Sequence, residues 1–451
     1  MKKIMIFCLA CVISTLAWAQ PEMGSILIQN GTVLTITNGT LENSDVLIVD
    51  GKIKRIGKNL KAPKGTKVVD ATDKFVMPGI IDAHSHIGIS AVNEATAPVT
   101  AEVFTGDALD PYDISIYRAL AGGVTVSHAM HGSANAIGGQ CETIKHRWGD
   151  TNPDNAAMAG APRTIKFALG ENPMRVHGEG RNITPSTRMG VEQVFRRAFS
   201  EAQEYEAAWA KYRSQSASNP SMSPPAYDRR LETVGDILSG DIIIHCHSYR
   251  ADEILMLMNV CKDFGVTKLC FQHVNEGFKV APELAEFGAG ASVFADWWAY
   301  KFEVYYSTAY NAAILTKNGV LTSINSDSPE LIRHLYHEAA KSQGYGNLSD
   351  LEALSLITIN PAKQLGIDGR VGSLEKGKDG DVAIFNAHPL SVYAIPQMTI
   401  VDGVVRFDIE NDPNDMRLYV NPEEKIAPVF MNDHDHDRCM QDVYETLFYK
   451  H

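Results

Sequence analysis

Two histidines separated by one residue stand at the end of an apolar run. His84 and His86 follow the sequence Pro-Gly-Ile-Ile at 78–81. Because side chains on a strand alternate between its two faces, both imidazoles point the same way and can reach one ion from the end of the strand. Solvated His-x-His pairs also occur. A pair at the end of an apolar strand that itself follows Pro-Gly nevertheless favours metal binding.

A longer pattern surrounds these histidines. It reads Pro-Gly-x-Ile-Asp-x-His-x-His from Pro78, and it is followed far downstream by NPAKQLG at 360–366 and GSLEKGKDGD at 372–381. Over about residues 25–408 the chain resembles the amidohydrolase superfamily, most of all the branch of imidazolonepropionases and prolidase-like dipeptidases. The resemblance implies metal ligands at the ends of several strands of a barrel.

Relatives carry a lysine in the fourth barrel strand, and Lys166 in the run 164–167 matches it. The resemblance implies that Lys166 is carboxylated and bridges two metals. A buried lysine with a lowered pKa is neutral and nucleophilic enough to take up CO2, and its carbamate offers two oxygens to two cations. A structural or anion-binding lysine is the alternative, with Glu171 as the bridging carboxylate instead.

Single ligand histidines are implied at the ends of strands five and six. His273 ends strand six, whereas strand five offers both His245 and His247. Alignment on the first histidine favours His245 as the ligand and leaves His247 nearer the substrate, where it would stabilise a tetrahedral oxyanion. The opposite order remains open, and a core histidine would explain either strand alone.

Strand eight is followed by Asp327, which matches the last ligand of the superfamily. The alternative is a helix N-cap, because Ser328-Pro329-Glu330 follows. In the implied mechanism Asp327 takes a proton from the attacking water and returns it to the leaving nitrogen.

The implied ligand set contains histidine and carboxylate but no cysteine. Such a set suits Zn²⁺, with Mn²⁺, Fe²⁺ and Co²⁺ as alternatives. Two ions about 3.5–4 Å apart would generate a metal-bound hydroxide and polarise a carbonyl. We expect two divalent metal ions, with Asp327 and His247 as the catalytic residues. The expected metal ligands are His84, His86, Lys166, His245, His273 and Asp327.

Other side chains near these strand ends are candidates for substrate contact. An arginine among Arg163, Arg175, Arg181, Arg188 and Arg250 would hold a substrate carboxylate bidentately, although solvent-facing or ion-paired arginines are the ordinary alternative. His128 and His131 follow strand two. The aromatic run 297–300 after strand seven either walls the site or packs in the core.

The elements that must position these residues alternate along the centre of the chain. Helical patterns at 191–213 and 251–264 lie between short apolar runs, as expected for βα units and a parallel sheet. We therefore predict an α/β fold with a (β/α)8 TIM-like barrel, its missing third strand near 141–144. An open doubly wound sheet also fits the pattern. The apolar runs are 75–77 with 80–81, 123–126, 164–167, 242–244, 268–271, 291–294 and 320–324.

Two β-rich segments flank this centre. Turns at Asn30-Gly31, Asn38-Gly39 and Asp50-Gly51 break the first, and Asp402-Gly403 breaks the second. They predict one small discontinuous β-sandwich domain interrupted by the barrel. The predicted boundaries are 20–75 and 365–408 for the sandwich, 76–364 for the barrel and 409–451 for a C-terminal tail.

The first nineteen residues are typical of an export signal. Lys2 and Lys3 precede an apolar stretch at 4–17, and Ala-Trp-Ala at 17–19 supplies a cleavage site. We therefore expect a secreted or periplasmic protein, a retained N-terminal anchor being the alternative. No later segment is apolar for long enough to span a membrane. A net charge of −13 argues against nucleic acid or an anionic membrane as a partner. The resemblance implies a small-molecule substrate, and a homo-oligomer remains open.

Three functions remain for this sequence. The first is an exported hydrolase that cleaves a C–N bond in an amide, a dipeptide or a cyclic amide. The second is a mononuclear deaminase of the same superfamily, which would lack the lysine carbamate. The third is a metal-stabilised binding protein on the same scaffold, disfavoured because no expected ligand position is vacant. Fold resemblance alone does not fix the reaction.

Overall fold

The computed structural model describes residues 20–298 and 300–418. The predicted export signal at 1–19 and residues 419–451 of the predicted tail lie outside the described residues. Among the described residues no helix is both long and apolar enough to cross a membrane.

The first sheet combines strands from both ends of the described chain. Its order is β16-β15-β14-β5-β1-β2-β3, with β4 paired to β1, so β5 joins the two sequence segments. This arrangement confirms the discontinuous sheet domain beside the barrel. The strands are β1 (Ile26–Leu34), β2 (Thr40–Val49), β3 (Lys52–Gly57), β4 (Lys67–Asp70), β5 (Phe75–Pro78), β14 (Val382–Phe385), β15 (Pro396–Val401) and β16 (Val404–Asp408).

One turn predicted in this sheet is absent. Asn30-Gly31 lies inside β1, where the register against β2 shifts on either side of Gly31. Asn30 takes a φ of 63°, as in a β-bulge, so the chain continues instead of reversing. Asp50-Gly51 and Asp402-Gly403, by contrast, connect antiparallel neighbours with positive φ at both residues, as the hairpin signal predicts.

The second sheet forms the barrel. Its order is β13-β12-β11-β10-β9-β8-β7-β6, and β9 to β13 pair in parallel. The predicted TIM-like barrel is confirmed. Its strands are β6 (Ile80–Ser85), β7 (Val124–Ala129), β8 (Ile137–Lys145), β9 (Arg163–Ala168), β10 (Ile242–Ser248), β11 (Leu269–His273), β12 (Gly290–Val293) and β13 (Leu321–Ile324).

The third barrel strand departs from the expected parallel pattern. β8 contains the candidate 141–144, but it pairs antiparallel with both β7 and β9. Only residues 130–136 separate β7 from β8. A parallel crossover needs a dozen or more residues, so the chain returns as a hairpin instead.

The chain passes from one sheet to the other at Gly79. The run 75–77, which the sequence pattern assigned to the barrel, forms β5 of the first sheet, and the first barrel strand begins at Ile80. A Cβ at Gly79 would lie 2.1 Å from Thr125 Oγ1 of β7. Glycine therefore lets the strands approach closely where the chain changes sheets.

Helices cover the outside of the barrel, and the two predicted helical patterns correspond to α3 and α5. The barrel strands and helices share one large apolar core, which includes Phe167, Phe195 and Phe199. The helices are α1 (Ile114–Ala121), α2 (Glu171–Met174), α3 (Arg188–Gln215), α4 (Arg229–Leu238), α5 (Ala251–Phe264), α6 (Ala281–Phe287), α7 (Asn311–Lys317), α8 (Leu335–Gly346), α9 (Asp350–Ser355) and α10 (Ile359–Gln364).

Candidate metal centre

The two histidines of β6 lie side by side at the carboxyl end of the strand. The Nε2 atoms of His84 and His86 are 3.3 Å apart. His86 donates its Nδ1 hydrogen to the carbonyl of Met130 at 2.8 Å, which leaves Nε2 as a lone-pair donor. The strand alternation thus brings both imidazoles to one point.

Asp327 meets these histidines from the end of β13. Its Oδ1 is 3.3 Å from His84 Nε2 and 3.1 Å from His86 Nε2, and its Oδ2 is 3.7 Å from His273 Nε2. One ligand atom each from His84, His273 and Asp327 lies within 4.8 Å of the others. Residues far apart in sequence therefore converge because parallel strands end at the same rim of the barrel.

Lys166 of β9 reaches the same point from inside the barrel. It is buried, and its Nζ is 3.1 Å from His84 Nε2. Burial holds the pKa of His84 well below its usual value. His84 is therefore neutral near pH 7, the form in which imidazole binds metal. Glu171, the other candidate for a bridging carboxylate, pairs with Lys301 at 3.4 Å and Arg175 at 3.7 Å.

Both histidines of β10 face the barrel interior, but they have different neighbours. The His245 ring lies 4.5 Å from that of His128, and the amide of Gln272 is 2.9 Å from His245 Nδ1. The His247 ring lies 4.8 Å from that of His273. His247 is thus beside the cluster, whereas His245 contacts a histidine outside it. These contacts favour His247 as the metal ligand, whereas the sequence favoured His245.

Several buried nitrogens around the cluster have no hydrogen-bond partner in the protein. They are His84 Nδ1, His245 Nε2 and both ring nitrogens of His247. Burial holds the pKa values of His245 and His247 well below the ordinary range, so these rings are neutral near pH 7. An unpartnered buried nitrogen is costly, and coordination of a cation would satisfy one ring nitrogen of His245 or His247. Imidazole and carboxylate donors without thiolate therefore fit a divalent ion such as Zn²⁺.

Asp82 supports the cluster in a way that the sequence analysis missed. Its Oδ1 accepts hydrogen bonds from the backbone of His84 at 3.1 Å and of Ser326 at 3.2 Å, and its Oδ2 accepts from the Ser326 hydroxyl. Asp327 N also donates to the His84 carbonyl at 3.1 Å. Asp82 thus ties the first barrel strand to the last at the point where both carry residues of the cluster. Two signals were available, its place inside an apolar strand and its place in the Pro-Gly-x-Ile-Asp-x-His-x-His pattern.

Most of the other candidates for substrate contact are engaged elsewhere. His128 bonds Ala83 O and Thr164 Oγ1, and His131 bonds Gly132 O and the Glu94 backbone. These bonds occupy both ring nitrogens of each histidine. Four of the arginines pair with acidic side chains. They are Arg163 with Asp236, Arg175 with Glu171, Arg188 with Glu253 and Glu303, and Arg250 with Asp252.

Aromatic side chains after β12 do form a wall beside the cluster. Phe294 stacks on His273 with the ring centres 4.8 Å apart, and Trp297 stacks on Phe294 at 4.7 Å. The hydroxyl of Tyr300 donates to that of Tyr249 at 3.0 Å. This side of the site is therefore apolar, with hydroxyls at one edge.

Comparison with known proteins identifies the family of this chain. A solved amidohydrolase from Thermotoga maritima MSB8 is 36% identical, with a TM-score of 0.77, over 85% of this chain and 100% of that one. The chain belongs to the amidohydrolase family. The profile of the amidohydrolase family itself matches residues 303–409. An adenosine deaminase from Xanthomonas campestris shares the fold, at 17% identity and a TM-score of 0.53 over 88% of this chain and 96% of that one.

Curated members of the family match this chain over less than half of their own length. The amidohydrolase tasK of Hapsidospora irregularis is 32% identical over 392 residues, which are 81% of this chain and 40% of that protein. The dihydropyrimidinase of Dictyostelium discoideum is 39% identical over 104 residues, which are 23% of this chain and 18% of that protein. The chain therefore spans less than half the length of these relatives.

Proposed function

We propose that this amidohydrolase is an exported enzyme that hydrolyses a C–N bond in an amide, a dipeptide or a cyclic amide. The convergence of His84, His273 and Asp327 from three strand ends carries the proposal. The lone pairs of neutral imidazoles and a buried carboxylate meet there without a thiol, beside an apolar wall. Export rests on the sequence of residues 1–19.

The proposed metal ligands are His84, His86, His273, Asp327 and one histidine of β10. His247 is the better placed of the β10 pair, because its ring neighbours that of His273. Divalent ions held there would supply Lewis acidity, which lowers the pKa of water and polarises a carbonyl. We favour two ions, of which Zn²⁺ suits the donors best.

Lys166 is the proposed site of carboxylation. Its amine would attack CO2, form an N–C bond and release a proton, giving a carbamate whose two oxygens can serve two cations. Lys166 is buried and its Nζ already lies 3.1 Å from a histidine of the cluster, so the modified side chain would remain within the site.

Asp327 is the proposed acid–base residue. Its carboxylate lies among the histidines and has 7% of its side chain exposed, so it can hold the proton of the attacking water away from solvent. The same carboxyl then returns the proton to the nitrogen that leaves. The aromatic wall of Phe294 and Trp297 restricts access of other water from that side.

Replacing Asp327 with asparagine tests this assignment. We expect D327N to lower kcat by about 10²–10⁴-fold, because the amide cannot accept the proton. The assay compares hydrolysis of dipeptides, dihydroorotate and dihydropyrimidines, the last two being cyclic amides for which relatives are named. D263N, at a carboxylate on the exposed face of α5, is the control and keeps wild-type turnover. Full activity in D327N would refute the assignment.

A further inference from the structure

Buried charges that the mechanism does not use join the loops at the barrel mouth. Arg188, the first residue of α3, donates to Glu253 of α5 and to Glu303 in the segment after β12. Each carboxylate side chain is only 4% exposed, whereas that of Arg188 is 32% exposed. A planar guanidinium can bond two carboxylates at once. Arg188 therefore links α5 to the segment after β12.

The same two carboxylates hold the backbone that follows the Lys166 strand. Gly170 N donates to Glu253 at 3.0 Å, and Glu171 N donates to Glu303 at 3.1 Å. Gly170 has a φ of 76°, and a Cβ there would lie 2.8 Å from Glu303 Oε1. The carboxylate of Glu303 occupies the space that a side chain at residue 170 would need.

Lys301 adds a further tie and connects these charges to the metal centre. Its ammonium donates to Asn172 at 3.1 Å, pairs with Glu171 at 3.4 Å and lies 4.3 Å from the ring centre of Tyr249. The ring of Tyr249 in turn lies 4.5 Å from that of His247. We call Arg188, Glu253, Glu303 and Lys301 the charged clasp. It joins the loops after β9, β10 and β12.

We propose that Arg188 is a positioning residue that sets substrate affinity by holding the loop after β9 against the segment after β12. That segment carries the wall residues Trp297 and Tyr300, so its position determines the shape of the pocket. Without Arg188, two buried carboxyl groups face one another with no guanidinium between them. Burial, together with Glu303, already raises the pKa of Glu253 to about 7 even beside Arg188. Loss of the guanidinium therefore removes both ion pairs and leaves a pair that must either repel or take up a proton, which weakens the link between the loops. The metal ligands stand on strand ends and keep their places. The affinity effect rests on the proposed function, whereas the joining of the loops does not.

Hydrogen exchange of the metal-loaded protein tests the clasp directly. In Arg188→Gln we expect amide exchange at 169–174 and 300–306 to rise at least about tenfold, with the barrel strands unchanged. Arg196→Gln is the matched control. Arg196 lies on the same helix, has 34% of its side chain exposed and also bonds two carboxylates, Glu192 and Asp263, but outside the clasp. Unchanged exchange in both loops of R188Q would overturn the proposal.

Two further variants extend the test, and the first of them keeps it decisive if R188Q folds poorly. Glu303→Gln retains an acceptor for Glu171 N but loses the ion pair, so exchange should rise in the same two loops by a smaller factor. Combining R188Q with E303Q removes one of the opposed carboxylates and should restore part of the protection. Exchange that is greater in the double variant than in R188Q would contradict the clasp.

Turnover supplies the functional readout. In R188Q we expect KM to rise about 10- to 100-fold while kcat and metal content stay close to wild type, because substrate binding rather than chemistry is affected. A fall in kcat with KM unchanged would contradict the positioning role. Failure of the proposed function is a different result. It would appear as absent metal-dependent hydrolysis in the wild type and would leave the exchange comparison intact.

Discussion

The protonation state of each histidine in the cluster follows from its immediate neighbours. His86 donates from Nδ1 to a backbone carbonyl, which leaves its Nε2 facing Asp327 at 3.1 Å. Burial holds the pKa of His84 well below its usual value. The His84 ring is therefore ready to coordinate a cation near neutral pH without first losing a proton.

The two histidines of β10 give a prediction at this scale. His247→Ala should weaken metal binding at least about 100-fold, because a ring next to His273 with two unpartnered nitrogens is lost. His245→Ala serves as the matched variant and should retain its metal. Elemental analysis after dialysis measures both. Loss of metal in H245A with retention in H247A would instead restore the order that the sequence favoured.

Spacing on strands explains which residues of the cluster were predictable. His84, His86, Lys166, His273 and Asp327 each stand in or after an apolar strand, and the barrel brings them together as expected. Alternation cannot separate His245 from His247, because residues two apart share a face. That choice depends on neighbours from other strands, which a single sequence does not specify.

Among the elements, the two ends of the barrel sheet meet through side chains as well as backbone. β6 and β13 are the outer strands of the hydrogen-bonded order, and Asp82 bonds the backbone of His84 in β6 and of Ser326 just after β13. Burial raises the pKa of Asp82 to about 7. The strands that carry three of the proposed ligands, His84, His86 and Asp327, are thereby fixed to each other.

Strand β8 carries a pH-dependent prediction. Burial raises the pKa of Glu142 to about 7, whereas the unfolded chain ionises near 4.5. Folding therefore takes up a proton between these values, and the free energy of unfolding falls as pH rises through that window. The full effect is on the order of 3 kcal/mol. Glu142→Gln cannot ionise at this position, so its free energy of unfolding should fall less than that of the wild type as pH rises through the same window.

Urea unfolding at pH 5 and pH 8 measures this difference. Between the two pH values the free energy of unfolding should fall more in the wild type than in E142Q. Toward pH 4 the free energies of unfolding of the two proteins should approach each other. An equal loss in both proteins would show that Glu142 ionises normally in the folded state.

The elements themselves were predictable to different degrees. Helices α3 and α5 follow from continuous apolar periodicity, which is a local property. The direction of β8 and the sheet membership of β5 are decided by connection length and by distant partners. The charged clasp joins residues from 170 to 303, so no local pattern reports it.

At the scale of the whole molecule, a buried ion cluster holds the two sheets together. Lys145 at the end of β8 pairs with Asp379 at 2.7 Å, Asp381 at 3.1 Å and Asp402 at 2.5 Å. Although burial opposes the charged form, these carboxylates raise the pKa of Lys145. The β-rich domain thus contacts the barrel through charges as well as through the chain crossings. The boundaries 20–75, 76–364, 365–408 and 409–451 remain predictions.

The metal content of the purified protein tests the central claim most directly. Elemental analysis gives the number of ions per chain, and carbon-13 NMR after growth under labelled CO2 detects a carbamate that should disappear in Lys166→Ala. The account predicts about two divalent ions per chain and a carbamate that depends on Lys166. One ion per chain with an unmodified Lys166 would contradict the bridging lysine and redirect the search toward deaminase substrates.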